Sequence, residues 1–293
     1  MSPFRAIALA CTLLIAACSG GEPDSDDETT ANPLLYEIAN ADGEVEGWLL
    51  GTIHALPDGV SWRTAAIKDA IETADVLWVE IDDQTNDAGR AEIFARLART
   101  PGLDPLQERV APDLREPLAM ILARSELPPE QFLSTEDWAA AILLSRVDTK
   151  GKPANGVDRA VIRDFEGRPL RGFETTASQL GIFDTLPDED QQDLLEGTVR
   201  EWMASRDNPD WLLQAWLAGD EATLARATGE GILADPELHE ALLAGRNRRW
   251  IASLLPELGK QPKPLVAVGT AHLVGPDGLV AMLEAEGYTL TRR

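Results

Sequence analysis

Cysteine is nearly absent from this chain of 293 residues, which contains only Cys11 and Cys18, both near the amino terminus. A disulfide framework, a thiolate-bound metal and a cysteine nucleophile are therefore excluded from the rest of the chain. Basic residues are also scarce: there are 26 Lys and Arg against 50 Asp and Glu, which gives a net charge of −24. Because nucleic acids are bound through basic surfaces, this composition argues against a nucleic-acid partner.

The amino terminus carries an apolar run, Ala6–Ala17, that follows Arg5 and is about a dozen residues long. Such a run is too short to span a bilayer and is typical of a secretion signal. Its last four residues, Leu14-Ile15-Ala16-Ala17, precede Cys18 and with it resemble the lipobox of bacterial lipoproteins. We therefore predict that residues 1–17 are a signal peptide and that Cys18 is lipidated. The alternatives are an ordinary signal peptide with a chance cysteine and an uncleaved anchor.

Residues 18–33 are rich in Asp and Glu and contain no basic residue. A segment of this composition buries too little apolar surface to fold, so we predict a disordered acidic tether. Ser19 follows the cysteine, which by analogy with lipoprotein sorting favours the outer membrane. We predict a cell-envelope lipoprotein that contacts the membrane through the lipid on Cys18, with its domain facing the periplasm or the cell surface.

The remaining residues, 34–293, are enough for one large domain. Apolar segments typical of strands occur near both ends and once in the middle, at Leu34–Ile38, Val45–Thr52, Val76–Ile81, Leu170–Glu174, Pro264–Thr270 and Tyr288–Thr291. Helical patterns dominate residues 88–165 and 176–255. We predict an α/β (α+β) fold in which both ends of the chain build one mixed sheet, with a large helical insertion.

An imperfect duplication is the most informative feature of the sequence. Gly51-Thr52-Ile53-His54 follows one predicted strand and Gly269-Thr270-Ala271-His272 follows another, and each is followed by Pro-Asp-Gly. The chain has only three histidines, and two of them occupy this context. If the two strands are neighbours, the imidazoles converge at the strand ends, where ligands of α/β sheets bind.

Two imidazoles near a carboxylate form a site for Zn, Mn, Fe or Co, and without a metal they are suited to acid–base catalysis. The alternative is a purely structural role, in which each strand-end histidine forms a hydrogen bond to the backbone. Glu80 and Glu174 are strand-end carboxylates, and a carboxylate in an apolar strand must be paired or bind a metal. A helix cap or a surface charge is the alternative for each, and Asp158 is either a helix cap or a pocket residue.

These motifs resemble the TraB/GumN family when they are taken with Gly156-Val157-Asp158, the Leu170–Glu174 strand and Arg246-Asn247-x-x-Trp250. The family includes Tiki-type membrane-associated proteins and is structurally related to the ChaN and erythromycin-esterase groups. The resemblance extends from about Leu35 to Tyr288. It implies an α/β core with a helical insertion.

For Tiki-like members the resemblance implies metal-dependent peptide-bond cleavage, with His54, His272 and Glu80 as the metal-binding residues. We predict a divalent-metal-dependent hydrolase (Mn, Co or Zn) that acts on a peptide or a small molecule. Glu174 is the predicted general base or further ligand, and Arg246 and Asn247 are predicted to orient substrate, with Arg246 pairing with a site carboxylate or a substrate anion. The other predicted pocket residues are Gly51, Thr52, Asp158, Gly269 and Thr270.

Two rival functions are compatible with the same residues. The first is a non-catalytic lipoprotein that binds a haem-like ligand, as in the ChaN group, with the imidazoles as iron ligands. The second is a metal-free esterase or an inhibitor-type signalling protein. The alternative interpretation of residues 246–249 is a basic helix face exposed to solvent. His239-Glu240 lacks the second histidine of a zincin motif, so we predict that it is a helix surface.

Overall fold

The computed structural model describes residues 31–82 and 86–293. The predicted signal peptide, Cys18 and most of the predicted tether lie outside the described residues. The end of the tether differs from the prediction, because Ala31 is buried and its N–H donates to the Ser61 carbonyl at 2.8 Å. The Asn32 N–H donates to the Leu217 carbonyl at 2.7 Å, so the predicted boundary at residue 33 is too late. In the described ranges no helix has the length and apolarity needed to cross a bilayer.

Six strands form one mixed sheet, in the order β4-β3-β5-β2-β1-β6. Their bounds are β1 Leu35–Ala39, β2 Val45–Thr52, β3 Val76–Ile81, β4 Leu170–Glu174, β5 Pro264–Gly269 and β6 Thr289–Arg292. The four strands β4, β3, β5 and β2 are parallel, whereas β1 is antiparallel to both β2 and β6. The carboxyl ends of the four parallel strands therefore meet at one edge of the sheet.

The sequence explains why these strands occupy the centre of the sheet. Every residue of β3 is buried, as is nearly every residue of β5, which is the pattern of strands covered on both faces. β1 and β2 are joined by a turn in which the Asn40 side chain accepts hydrogen bonds from the backbone N–H groups of Asp42 and Glu44. Gly43 completes this turn with φ of 80°, a conformation that glycine adopts without strain.

Helices account for most of the described residues between the strands. The α-helices are α1 Ala65–Thr73, α2 Asp87–Leu97, α3 Arg115–Arg124, α4 Asp137–Leu144, α5 Val157–Asp164, α6 Thr176–Asp184, α7 Asp188–Ser205, α8 Trp211–Ala218, α9 Glu221–Ala227, α10 Pro236–His239, α11 Gly245–Leu254 and α12 Leu279–Ala285. A π-helical segment, Glu240–Ala244, joins α10 to α11. The Thr64 hydroxyl accepts from the Ile67 N–H and so fixes the start of α1.

Two hydrophobic cores divide the packing. The first surrounds the sheet and includes Trp250 and Leu254 of α11, so this helix is anchored to the sheet. The second lies within the helical part, around Trp138, Leu118 and Leu195. The predicted class, an α/β fold with a mixed sheet built from both ends of the chain and many helices, is confirmed.

Candidate active site

The two Gly-Thr-x-His loops lie side by side, because they follow the neighbouring parallel strands β2 and β5. Thr52 pairs with Gly269 across the two strands, and the Thr270 hydroxyl donates to the Thr52 carbonyl at 2.9 Å. A Cβ atom on Gly51 would lie 2.7 Å from the Thr270 hydroxyl oxygen, so only glycine allows this approach. The contact joins residues 218 positions apart and brings both histidine loops to one sheet edge.

His272 is buried in a short 3₁₀ turn after β5, and its ring is fixed at both nitrogens. Nδ1 lies 2.6 Å from Asn247 Oδ1, and the Asn247 amide nitrogen donates to the carbonyls of His272 and Asp277. Because the amide oxygen can only accept, Nδ1 carries the proton. Nε2 then accepts a hydrogen bond from Arg246 Nη1 at 3.1 Å. Burial, with the Arg246 charge, lowers the pKa of His272 to about 3, so the imidazole is neutral at pH 7.

Glu80 projects from β3, on the other side of β5 from the His54 loop. Its Oε1 accepts from the Gly269 N–H at 2.8 Å, and its Oε2 accepts from Arg246 at 2.9 Å and Gln179 at 3.0 Å. Burial opposes ionisation, but the charges of Arg246 and His54 and the Gly269 N–H outweigh it and hold the pKa of Glu80 well below its ordinary value. A Cβ on Gly269 would approach Oε1 to 3.0 Å, which explains a glycine there.

Arg246 forms the centre of the site. Its guanidinium donates through Nε and Nη2 to Glu174 at 3.0 and 2.7 Å, through Nη2 to Glu80, and through Nη1 to His272 and to the Leu242 carbonyl at 3.2 Å. All five N–H groups of the guanidinium are thus used within the chain. Burial works against its charge, but Glu174 and Glu80 together raise the pKa of Arg246.

The π-helical segment positions this arginine. It ends at Ala244, and α11 then begins with Gly245, where a Cβ would lie 2.6 Å from the Glu240 carbonyl oxygen. A π-turn shifts the helix register, and such turns are frequent at functional sites. Trp250 on the same helix packs against the His272 ring, with 4.3 Å between centroids and the ring planes tilted by 40°, and donates from Nε1 to Glu174 at 3.2 Å.

His54 is the exposed member of the site, with 70% of its side chain accessible to solvent. Its Nδ1 lies 3.2 Å from Oδ2 of Asp158, which sits in the first turn of α5. This hydrogen bond raises the pKa of His54 to about 9, although water and salt screen so exposed a pair. Within the described residues Asp158 Oδ1 is buried without a hydrogen-bond partner.

The loop that carries His54 is held by the amino terminus of α5. The Val157 N–H donates to the Ile53 carbonyl at 2.9 Å. A Cβ on Gly156 would lie only 2.5 Å from the His54 carbonyl oxygen, so the two backbones touch at this point. Asp158 is therefore a residue of the site, and the cap position of α5 belongs to Gly156.

One hydrogen-bonded network joins the predicted residues Glu80, Glu174, Arg246, Asn247 and His272, whereas His54 bonds to Asp158 beside it. Asn247 is 0% exposed and bonds to the chain at both ends of its amide, so it positions His272 and does not reach substrate. Arg246 pairs with the site carboxylates Glu80 and Glu174, which is one of its two predicted roles, and no N–H is left for a substrate anion. Among the described residues no group of three or more His, Cys, Asp or Glu side chains is arranged to hold a metal ion.

Sequence reasoning missed two side-chain contacts outside the site, each made by the aspartate of a Pro-Asp-Gly segment. His239, predicted as a helix surface, is partly buried, and its Nε2 lies 3.1 Å from Asp277 of the second Pro-Asp-Gly segment. Asp58 of the first Pro-Asp-Gly segment accepts from Asn155 at 2.9 Å and pairs with Lys152. Each aspartate therefore ties its histidine loop to a helical part of the chain. The signal was the duplication of Pro-Asp-Gly, which extends the repeat beyond the histidines.

Fold and site together define an α/β protein with a buried Arg–Glu–His network at the ends of parallel strands. The sequence profile of the TraB/PrgY/gumN family matches residues 34–292. The chain therefore belongs to the TraB/PrgY/gumN family. No curated protein and no solved structure matches it.

Proposed function

We propose that this chain is a divalent-metal-dependent hydrolase that cleaves peptide or amide bonds. The observation that carries the proposal is the matching arrangement of the two imidazoles. Nδ1 of each ring faces a buried polar side chain, Asp158 for His54 and Asn247 for His272. Nε2 of each ring is thereby left as the atom that can donate to a ligand. Metal-binding histidines are held in this way, so the chemistry of the donor set fits a divalent ion.

The residues proposed to hold the ion are His54 and His272 through Nε2 and Glu80 through its carboxylate. Once His54, whose pKa is raised to about 9, has lost its proton, this set of two imidazole nitrogens and one carboxylate suits Mn, Co or Zn. When bound, such an ion lowers the pKa of a water molecule and so supplies a nucleophile at neutral pH. His272 needs no deprotonation to take part, because the lowered pKa keeps its imidazole neutral.

The other residues are proposed to position ligands and move protons. Asp158 and Asn247 hold the two rings in one orientation. In the reaction the water oxygen bonds to the carbonyl carbon, the C–N bond breaks, and the protons of the water end on the new acid and amine. Glu174 is the proposed proton acceptor, since its strand lies next to that of Glu80. Its oxygens are bonded to Arg246, Trp250 and Gln179, so the guanidinium must leave before Glu174 can accept a proton.

The proposed substrate approaches from the side of His54, because this is the ring that solvent reaches. Peptides and small amides are the proposed substrates. The haem-like alternative has less support, since His272 is buried and a porphyrin is far larger than a single ion. A regulator that binds a ligand without cleaving it is the second candidate. The observation that favours it is the guanidinium of Arg246, whose N–H groups are all bonded within the chain, so that the charges of the site are balanced without a metal ion.

The test uses the full chain, purified in detergent and freed of metal with a chelator. Cleavage of a peptide library is followed by mass spectrometry after addition of Mn²⁺, Co²⁺ or Zn²⁺. We expect cleavage to appear with metal and to be lost in His54→Ala and in His272→Ala. Arg249→Ala, an exposed residue of α11, is the control for folding and handling. Cleavage that is unaffected by chelator would contradict the metal requirement, and metal binding without cleavage would favour the regulator.

We also propose that the chain is anchored in the cell envelope by lipid on Cys18, a residue outside the described part of the structure. The support is the apolar run and lipobox-like sequence that precede it. Metabolic labelling with an alkyne fatty acid should modify the wild-type chain and not Cys18→Ser. Equal labelling of both chains would contradict the proposal.

A further inference from the structure

We propose that Arg246 is a built-in cation that occupies the site in place of a divalent ion, and that the guanidinium must be displaced when the ion binds. The inference rests on the proposed metal dependence and deepens it. It assigns to Arg246 control over metal binding, which is separate from holding a substrate.

The first argument is that the guanidinium and the ion need the same atoms. Arg246 binds Glu80 Oε2 at 2.9 Å and His272 Nε2 at 3.1 Å, two of the three proposed ligands. A lone pair that accepts an N–H cannot at the same time donate to a metal. Glu174, the proposed proton acceptor, is bound by the same guanidinium at 2.7 Å. Movement of this one side chain therefore removes the guanidinium from all three groups at once, while Gln179 and Trp250 stay bonded to the carboxylates.

The second argument is electrostatic. Glu80 and Glu174 are two buried carboxylates, and an unpaired buried charge is strongly unfavourable. Arg246 compensates both carboxylates when no other cation is present, since its Nη2 lies 2.9 Å from Glu80 Oε2 and 2.7 Å from Glu174 Oε2. A divalent ion bonded to Glu80 and His272 would lie within contact distance of the guanidinium and be repelled by it. The two cations are therefore alternatives.

The third argument is that the network is satisfied without an ion. The guanidinium uses all five N–H groups, and its carbon lies 4.8 Å from the centre of the Trp250 ring, which adds a cation–π contact. A site that only held a metal would not need hydrogen-bond donors from the chain for the atoms that bind the ion. Here Arg246 supplies such donors to Glu80 and His272. The arrangement predicts weak metal binding to the wild-type chain and tighter binding once the positive charge is removed.

The experiment compares the full-length wild type with Arg246→Gln, Arg246→Lys and Arg249→Gln. Titration calorimetry with Zn²⁺ and Mn²⁺ gives affinities, and the visible spectrum of the Co²⁺ form reports its ligands. We expect Arg246→Gln to bind roughly ten- to a thousandfold more tightly than wild type, the range by which one nearby charge shifts an ionic equilibrium. Arg246→Lys, which keeps the charge, should resemble wild type, as should the exposed control Arg249→Gln.

The outcomes separate this inference from the proposed function. If wild type binds metal and Arg246→Gln binds no more tightly, the inference is wrong while the metal requirement stands. If neither wild type nor Arg246→Gln binds metal, the metal-dependent function and the inference both fail. Equal tightening by Arg249→Gln would also overturn it, because a general charge effect would then explain the result.

A second measurement uses only wild type, in case Arg246→Gln does not fold. Phenylglyoxal modifies accessible arginines, and mass spectrometry locates the product. Arg246 should be protected in metal-free protein and become reactive at Zn²⁺ saturation, while Arg249 reacts equally in both states. Protection of Arg246 that is unchanged at saturation would overturn the inference.

Discussion

Asn247→Ala tests the positioning of His272 more sharply than any change to a charged residue. The wild-type amide accepts from His272 Nδ1 at 2.6 Å and donates to the carbonyls of Asp277 at 2.6 Å and His272 at 3.3 Å. Alanine removes all three bonds and leaves the ring N–H and two carbonyls without these partners. Asn247 is completely buried, so water does not replace its amide without rearrangement.

The size of the effect follows from the two short bonds. A buried polar group that loses its partner costs about 1–3 kcal/mol, so the substitution should lower the free energy of unfolding by about 2–5 kcal/mol. For a domain of this size that corresponds to a fall in the melting temperature of roughly 4–20 °C. With its Nδ1 acceptor gone, the imidazole also becomes free to place its proton on Nε2.

Urea unfolding followed by fluorescence measures the first effect, and the ¹⁵N chemical shifts of the His272 ring measure the second. Asn155→Ala is the matched control, because its amide makes two bonds of 2.9 and 3.2 Å nearer the surface. It should lower the stability by less than about 1 kcal/mol. Equal losses in both variants, or an unchanged ring tautomer in Asn247→Ala, would refute the positioning role.

Three other perturbations have directions fixed by the structure. Asp158→Asn should bring the pKa of His54 down from about 9 towards 6.5, as followed by NMR titration; an unchanged value would mean that Asp158 does not set it. Gly51→Ala should lower the melting temperature by roughly 4–10 °C in a thermal scan, because its Cβ would lie 2.7 Å from the Thr270 hydroxyl oxygen. The pKa of His272 is about 3 in the folded chain and 6.5 in the unfolded chain, so stability is full above pH 6.5 and falls as the pH drops towards 3. His272→Gln should flatten this acid-side slope by up to about 1.4 kcal/mol per pH unit in urea titrations, and an unchanged slope would contradict the assignment.

Much of the fold follows from local pattern. The continuous apolar run at Val76–Ile81 predicts a strand buried on both faces, and the structure places it between β4 and β5. The repeat of Gly-Thr-x-His predicts two strands that end at one edge. Pairing order, by contrast, depends on contacts between distant segments, which no periodicity encodes.

The sequence predicts which residues belong to the candidate site, but it does not predict which of them contact each other. Arg246 and Asn247 are recognisable as a motif. Their partners, however, depend on the helix register set by the π-helical segment Glu240–Ala244, which no residue pattern predicts. The contact of His239 with Asp277 joins two elements that are far apart in sequence. For such contacts the sequence supplies the residue types, and tertiary packing decides which of them meet.

The most direct measurement of the central claim is the position of a bound ion. Full-length protein crystallised with Zn²⁺ and measured at the zinc absorption edge should show one anomalous peak bonded to Nε2 of His54 and His272 and to Glu80, with the Arg246 side chain moved away. A peak elsewhere, or no peak while Arg246 still bridges Glu80, Glu174 and His272 at saturating zinc, would contradict the account.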